Sequence, residues 1–219
     1  MATAKKTEEV ISIRPVEKRI VNIRIVVYSP LIVHNWTKKA KQQMLDAQTK
    51  KTKTKAKEAK DPFYDFADSL HWICGRPDEL NPDTFEEAIK NGAKWGFPAD
   101  AIKKAGNSAA YRMGWVKNQM ALRASYFITS EYGDLAEIKG SIPQMREDMV
   151  RVVMGTADIR YRPVFENWYM DLQLEYNANS NVTLEQILNI IEAGGYGVGI
   201  GEWRPEKDGR FGTYHIERI

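Results

Sequence analysis

Apolar and polar positions alternate most cleanly from Trp168 to Tyr176. Trp168, Met170, Leu172, Leu174 and Tyr176 fall on one side, and Tyr169, Asp171, Gln173 and Glu175 on the other. A period of two is that of a strand with one buried face. Arg19–Ser29 carries the same signature, with Val21, Ile23, Ile25 and Val27 on one face and Ser29-Pro30 as its stop. After Pro98 the spacing becomes helical. Ile102, Ala105, Ala109, Met113, Val116 and Met120 recur at three or four residues and predict a long helix. Gly106 and Gly114 lie within that pattern, each costing about 1 kcal/mol relative to alanine, which implies close packing against a neighbouring element. The best-specified helix starts at Thr183. Thr183 and Gln186 form a capping box, and Val182 and Ile187 sit where a hydrophobic staple would. Leu184, Ile187, Leu188 and Ile191 supply its buried stripe, and Gly194 and Gly195 read as its stop.

Weaker signals fill the rest. Asp61-Pro62 opens a short helix to about Ile73, and Asp83 with Glu86 starts another that Gly92 ends. Leu122–Ile128, Met149–Val153, Ile159–Arg162 and Phe211–Ile216 read as strands. With insertions set aside, the order is βαββαβ, an α+β plan of the ferredoxin-like (RRM-like) kind. Residues 1–17 read as a mobile tail and 18–219 as a single domain. That domain carries a basic loop or arm over 37–61, a helical insertion over 62–97 and a C-terminal glycine-rich loop. Within the arm, Thr49–Lys60 is low in complexity and reads as a loop.

Charge changes the picture locally rather than globally. The net formal charge is only +3, yet residues 38–60 hold nine lysines against Asp46 and Glu58. A basic arm on a mildly acidic body suits an anionic partner, and the same run also reads as a solvated, solubilising stretch. Cys74 stands alone, so no internal disulfide can form, and a reducing, cytoplasmic compartment fits. No apolar stretch approaches membrane-spanning length, and Met1–Glu9 lacks the apolar core of a signal peptide. Three scattered histidines and the single cysteine have no metal-ligand spacing, so neither a metal nor another cofactor is expected.

The candidate chemistry centres on Gly194–Gly201, with five glycines in eight positions. It follows a helix rather than a strand and precedes no Gly-Lys-Ser/Thr, so it is neither a dinucleotide fingerprint nor a Walker loop. Backbone at Gly197, Gly199 and Gly201 could approach a nucleic acid or a second subunit. The alternative reading is a tight helix-to-strand connection. Trp203 beside it and Trp36 near the lysines are candidates for base stacking. Arg204, Lys207 and Arg210 are candidates for phosphates, as are Lys38, Lys39, Lys41, Lys50, Lys51, Lys53, Lys55 and Lys57 of the arm. Arg146, Arg151, Arg160 and Arg162 form either a phosphate track or ion pairs with Glu147, Asp148, Asp158 and Glu166. His71 and His215 read as structural.

The loop residues Gly195, Gly197, Gly199, Gly201, Gly209 and Gly212, with Arg210-Phe211-Gly212, resemble the glycine-rich loop of the RAMP superfamily, the repeat-associated RNA-binding subunits of CRISPR effector complexes. Val27-Tyr28-Ser29-Pro30-Leu31 is similar to the opening of that superfamily's backbone subunits. Met145–Val152, Gly155–Pro163 and Gly201–Lys207 look similar to an uncharacterised bacteriophage protein family, which implies a viral origin and the host cytoplasm. The RAMP resemblance implies contact with nucleic acid or with a neighbouring subunit. It also makes His34 a candidate general base, as in certain RAMP endoribonucleases.

The expected function is non-catalytic, largely sequence-independent binding of single-stranded nucleic acid, RNA or DNA, by a homo-oligomer. Three alternatives stay open: a self-assembling phage structural protein, an RNA endonuclease using His34, and an inhibitor of host defence that mimics a CRISPR subunit.

Overall fold

The computed structural model describes residues 15–49, 60–151 and 157–219. The chain runs β1 (Lys18–Val27), β2 (Leu31–Ile32), α1 (Lys38–Gln48), α2 (Pro62–Asp68), β3 (His71–Cys74), α3 (Pro82–Lys90), β4 (Lys94–Pro98) and α4 (Ala99–Arg112). It continues with α5 (Met120–Arg123), β5 (Tyr126–Thr129), β6 (Leu135–Glu137), β7 (Gln144–Arg151), β8 (Ala157–Phe165), β9 (Tyr169–Asn177), α6 (Leu184–Gly197) and β10 (Tyr214–Arg218). The architecture is mixed α+β. Among the described residues, three sheets have the orders β10-β1-β9-β5, β2-β8-β7 and β3-β4-β6, and every strand pair is antiparallel.

The four-stranded sheet follows from the alternation. Ile23 and Ile25 of β1 and Met170, Leu172 and Leu174 of β9 turn inward and are buried. Helices α4 and α6 lie side by side, α4 against β5 and α6 against β10. Ile102 from α4 and Ile187 and Ile191 from α6 are fully buried in the common core. Helix α6 begins at its capping box: Gln186 N–H donates to Thr183 Oγ1 at 3.3 Å, and Thr183 N–H donates to Gln186 Oε1 at 2.9 Å.

Its end differs from the expectation. Gly194 and Gly195 do not stop α6 but lie inside it, buried. A Cβ on Gly194 would sit 2.5 Å from the Gly106 nitrogen of α4, and one on Gly195 would overlap the Tyr214 carbonyl oxygen of β10. The glycines let three backbones meet, a demand that tertiary structure imposes and a local stop signal cannot reveal. Gly106 meets the packing expectation. Gly114 does not, because it takes φ +73° beyond the end of α4 with open space around it. The periodicity through Met113 and Met120 therefore overran the helix, and both side chains are exposed.

The 62–97 insertion is only partly helical. Helix α2 stops at Asp68, short of Ile73, and His71–Cys74 becomes a strand paired with β4. Phe63, Phe66, Trp72, Phe85 and Trp95 pack mostly edge-on within it, with neighbouring centroids 5.5–6.0 Å apart. The 37–61 arm begins as a helix rather than a loop. Thr37 Oγ1 accepts from Ala40 N–H at 3.2 Å, and Lys38 N–H donates to Asp68 Oδ2 at 2.8 Å. Residues 50–59 of that arm, the 152–156 tip between β7 and β8, and residues 1–14 lie outside the described residues. Pro15–Glu17, assigned by sequence to the tail, are tied to the end of β9: Glu17 N–H donates to Asn177 Oδ1 at 2.9 Å. Among the described residues, no helix is long and apolar enough to cross a membrane.

Candidate nucleic acid interface

The turn after β1 is stitched to the segment before β10. Gly212 N–H donates to the Pro30 carbonyl at 2.8 Å, and the Ser29 and Thr213 hydroxyls are 2.7 Å apart. Glu202 N–H then donates to the Ile32 carbonyl at 2.9 Å. These bonds bring the residues just after β2 beside the loop after α6. Gly201 takes φ +75°, and any Cβ there would strike the Ile32 carbonyl. Between the two segments lies a cleft of about 540 Å³. One wall is His34, Asn35 and Trp36, and another is Val198–Glu202 with Arg204 and Glu206. His71, Phe97, Gln119 and the Ala101, Lys104, Ala105 and Ser108 face of α4 complete the lining.

Both cleft histidines are held neutral. His34 is lowered first by burial and then by the charge of Arg162, against an opposing pull from Glu202 that exceeds the further push from Arg160; its Nδ1 is buried without a partner. His71 is lowered to about 4 by burial, with Lys41 and His34 adding repulsion. Unfolded chains take up a proton near the ordinary histidine value of about 6.5, whereas the folded chain resists until about 4. The unfolded state thus binds more protons in that window, so stability falls as pH drops through it, by about 2–3 kcal/mol from this residue. Urea unfolding across the window checks this. In His71→Gln the slope is expected to flatten; an unchanged slope would remove His71 as its source.

The sequence-derived cations divide into three groups. Arg162 is 3% exposed and lies 3.4 Å from Asp148 and 3.5 Å from Glu202, so it is not open to a surface phosphate track. Arg146 donates to Asp148 at 2.8 Å with its guanidinium 4.8 Å over the Phe211 ring, and Arg160 is 3.7 Å from Asp158, which also binds Lys60. Arg204 braces its own loop, donating to the Gly201 carbonyl at 2.9 Å and to Glu206 at 2.7 Å. These four are structural ties first. Lys38, Lys41, Arg151, Lys207 and Arg210 are exposed. Lys39 occupies the second position of α1, while Lys50, Lys51, Lys53, Lys55 and Lys57 lie outside the described residues.

Trp36 is 55% and Trp203 41% exposed, and Trp203 holds the left-handed region at φ 53°, uncommon for a bulky residue. Gly197 is exposed at the end of α6. Gly199 is buried between Val198 and Ile200 and offers no backbone to a strand. Sequence reading missed Lys104, Ser108 and Gln119 as cleft residues and took His71 as structural. No local pattern marks them, because the cleft forms only when distant segments meet.

No protein-family model matches this sequence, and neither does any curated protein. The fold is similar to that of a chain in the cryo-EM structure of the Type III-B Cmr-beta bound to cognate target RNA. The TM-score is 0.52 at 10% identity, over 92% of this chain and 60% of that one. The present chain thus spans about three fifths of the length of the chain it matches. At that identity the likeness concerns fold alone.

Proposed function

We propose that this protein binds single-stranded nucleic acid without catalysing a reaction, through phosphate charge and stacking rather than base-edge readout. The observation that carries this reading is the convergence of the front segment and the tail loop on one cleft, with Trp36 exposed and the lysines of α1 starting two residues after it. The fold likeness to a chain of an assembly solved with target RNA supports it. The main-sheet order β10-β1-β9-β5, with α4 and α6 as crossovers, supports reading residues 18–219 as one ferredoxin-like, RAMP-like domain. Assembly of several copies along a strand, in a phage-infected cytoplasm, belongs to the same reading.

Lys38, Lys41, Lys104, Lys207 and Arg210 are its exposed phosphate contacts. Each contact contributes about −0.7 to the slope of log affinity against log salt for a single strand. Five contacts therefore cost about a hundredfold between roughly 50 and 200 mM salt. Titration of labelled single-stranded RNA and DNA at several salt concentrations tests this, and Lys38→Glu/Lys41→Glu is expected to make the slope shallower. Affinity that stays flat with salt would reject the reading.

A further inference from the structure

The cleft has a chemistry of its own. Its ionic side chains balance: Lys104 and Arg204 are matched by Glu202 and Glu206, and both histidines are neutral at physiological pH. Arg204 is already spent on Glu206, and Glu202 faces Arg162. A phosphate entering this space would meet two carboxylates, and the cation left to it is the exposed Lys104. A flat uncharged group would meet Trp36, the Phe97 ring, Val198 and Ile200. His34 lines the same space. The volume of about 540 Å³ falls in the ordinary range of small-molecule sites, roughly 300–1,000 Å³.

We propose that this cleft holds one unstacked nucleobase of the bound strand, with the flanking phosphates left outside on Lys38, Lys41 and Lys104. The inference rests on the single-strand reading above and adds to it a built position for one base. A single strand suits such a site because unstacking one of its bases costs little. Trp36 supplies a stacking face that accepts any base, so the site adds affinity with little sequence preference. Lys38 follows Trp36 by two residues, and Lys41 lies about one turn further along α1.

The test uses the full chain and two single strands of equal length and charge, one intact and one abasic throughout, each titrated by fluorescence anisotropy at several salt concentrations. The intact strand is expected to bind about tenfold more tightly. Ala101→Trp, which fills the cleft from α4, and Trp36→Ala are both expected to bring that ratio to within about twofold at an unchanged salt slope. Trp36 is exposed, so its truncation leaves the core intact and keeps the test decisive should Ala101→Trp fail to fold. Equal binding of the two strands with a normal salt slope would overturn the base site and leave the strand reading standing. A tenfold ratio that persists in Trp36→Ala, or in a folded Ala101→Trp, would place the bases elsewhere and overturn it too. Absence of binding to either strand at low salt would overturn both.

Discussion

Gly195→Ala is expected to destabilise the fold by about 3 kcal/mol or more, with Gly194→Ala close behind. Alanine gains about 1 kcal/mol over glycine in helix propensity, and both positions lie within α6. That gain is outweighed because the new methyl group has nowhere to go. At Gly194 it would lie 2.5 Å from the Gly106 nitrogen and 2.8 Å from the Ala105 carbonyl carbon; at Gly195 it would overlap the Tyr214 carbonyl. The obstacles are backbone atoms of α4 and β10, which cannot swing aside as a side chain could. Gly197→Ala is the internal control. There the nearest atom would be Met113 Cε at 3.6 Å, an ordinary contact at an exposed site, so stability is expected to hold or rise by up to about 1 kcal/mol. Urea midpoints of the three variants decide the matter. Three equal midpoints would mean that α6 does not depend on close backbone approach, and the glycine run would need another explanation.

Asp148→Ala is expected to cost about 3–5 kcal/mol, the usual effect of stranding a buried charge. The Asp148 carboxylate takes Arg146 at 2.8 Å and Arg162 at 3.4 Å, and only 4% of its side chain and 4% of that of Arg162 are exposed. Without it Arg162 keeps a single carboxylate, Glu202, at 3.5 Å. Its Nε already has no hydrogen-bond partner. Removing both charges together, in Arg162→Met/Asp148→Leu, is expected to restore most of the loss, since a well-packed apolar pair avoids desolvation. Equilibrium unfolding of Arg162→Met, Asp148→Leu and the double variant measures the coupling. Additive losses would show that Asp148 and Arg162 act independently.

These two sites also show where sequence reading succeeds and where it stops. Strand β9 and the start of α6 were legible because their signals are local: alternation over nine residues, and a capping box over four. Strand β3 was not, because His-Trp-Ile-Cys is too short to show a period and reads as a continuation of the helix before it. Helix α1 was hidden by its lysines and by a start secured through Asp68, thirty residues away. Gly194 and Gly195 were visible as special but not interpretable, since a helix stop and a backbone crossing call for the same residue. The arginines of β7 and β8 were read as either phosphate contacts or ion pairs, and burial, which no local pattern reports, settles Arg162 as the latter. The cleft was foreseen only as a meeting of two ends. Its α4 wall followed from packing that the periodicity of that helix does not distinguish from ordinary core.

Strand β1 lies between β9 and β10, and both partners follow it by most of the chain. During synthesis, at roughly 5–20 residues per second, β1 leaves the ribosome and then waits on the order of ten seconds or longer for either neighbour. Throughout that wait Ile23 and Ile25, fully buried in the finished sheet, have no strand to cover them. The central sheet therefore closes late, a route that favours slow folding and leaves the nascent chain open to self-association.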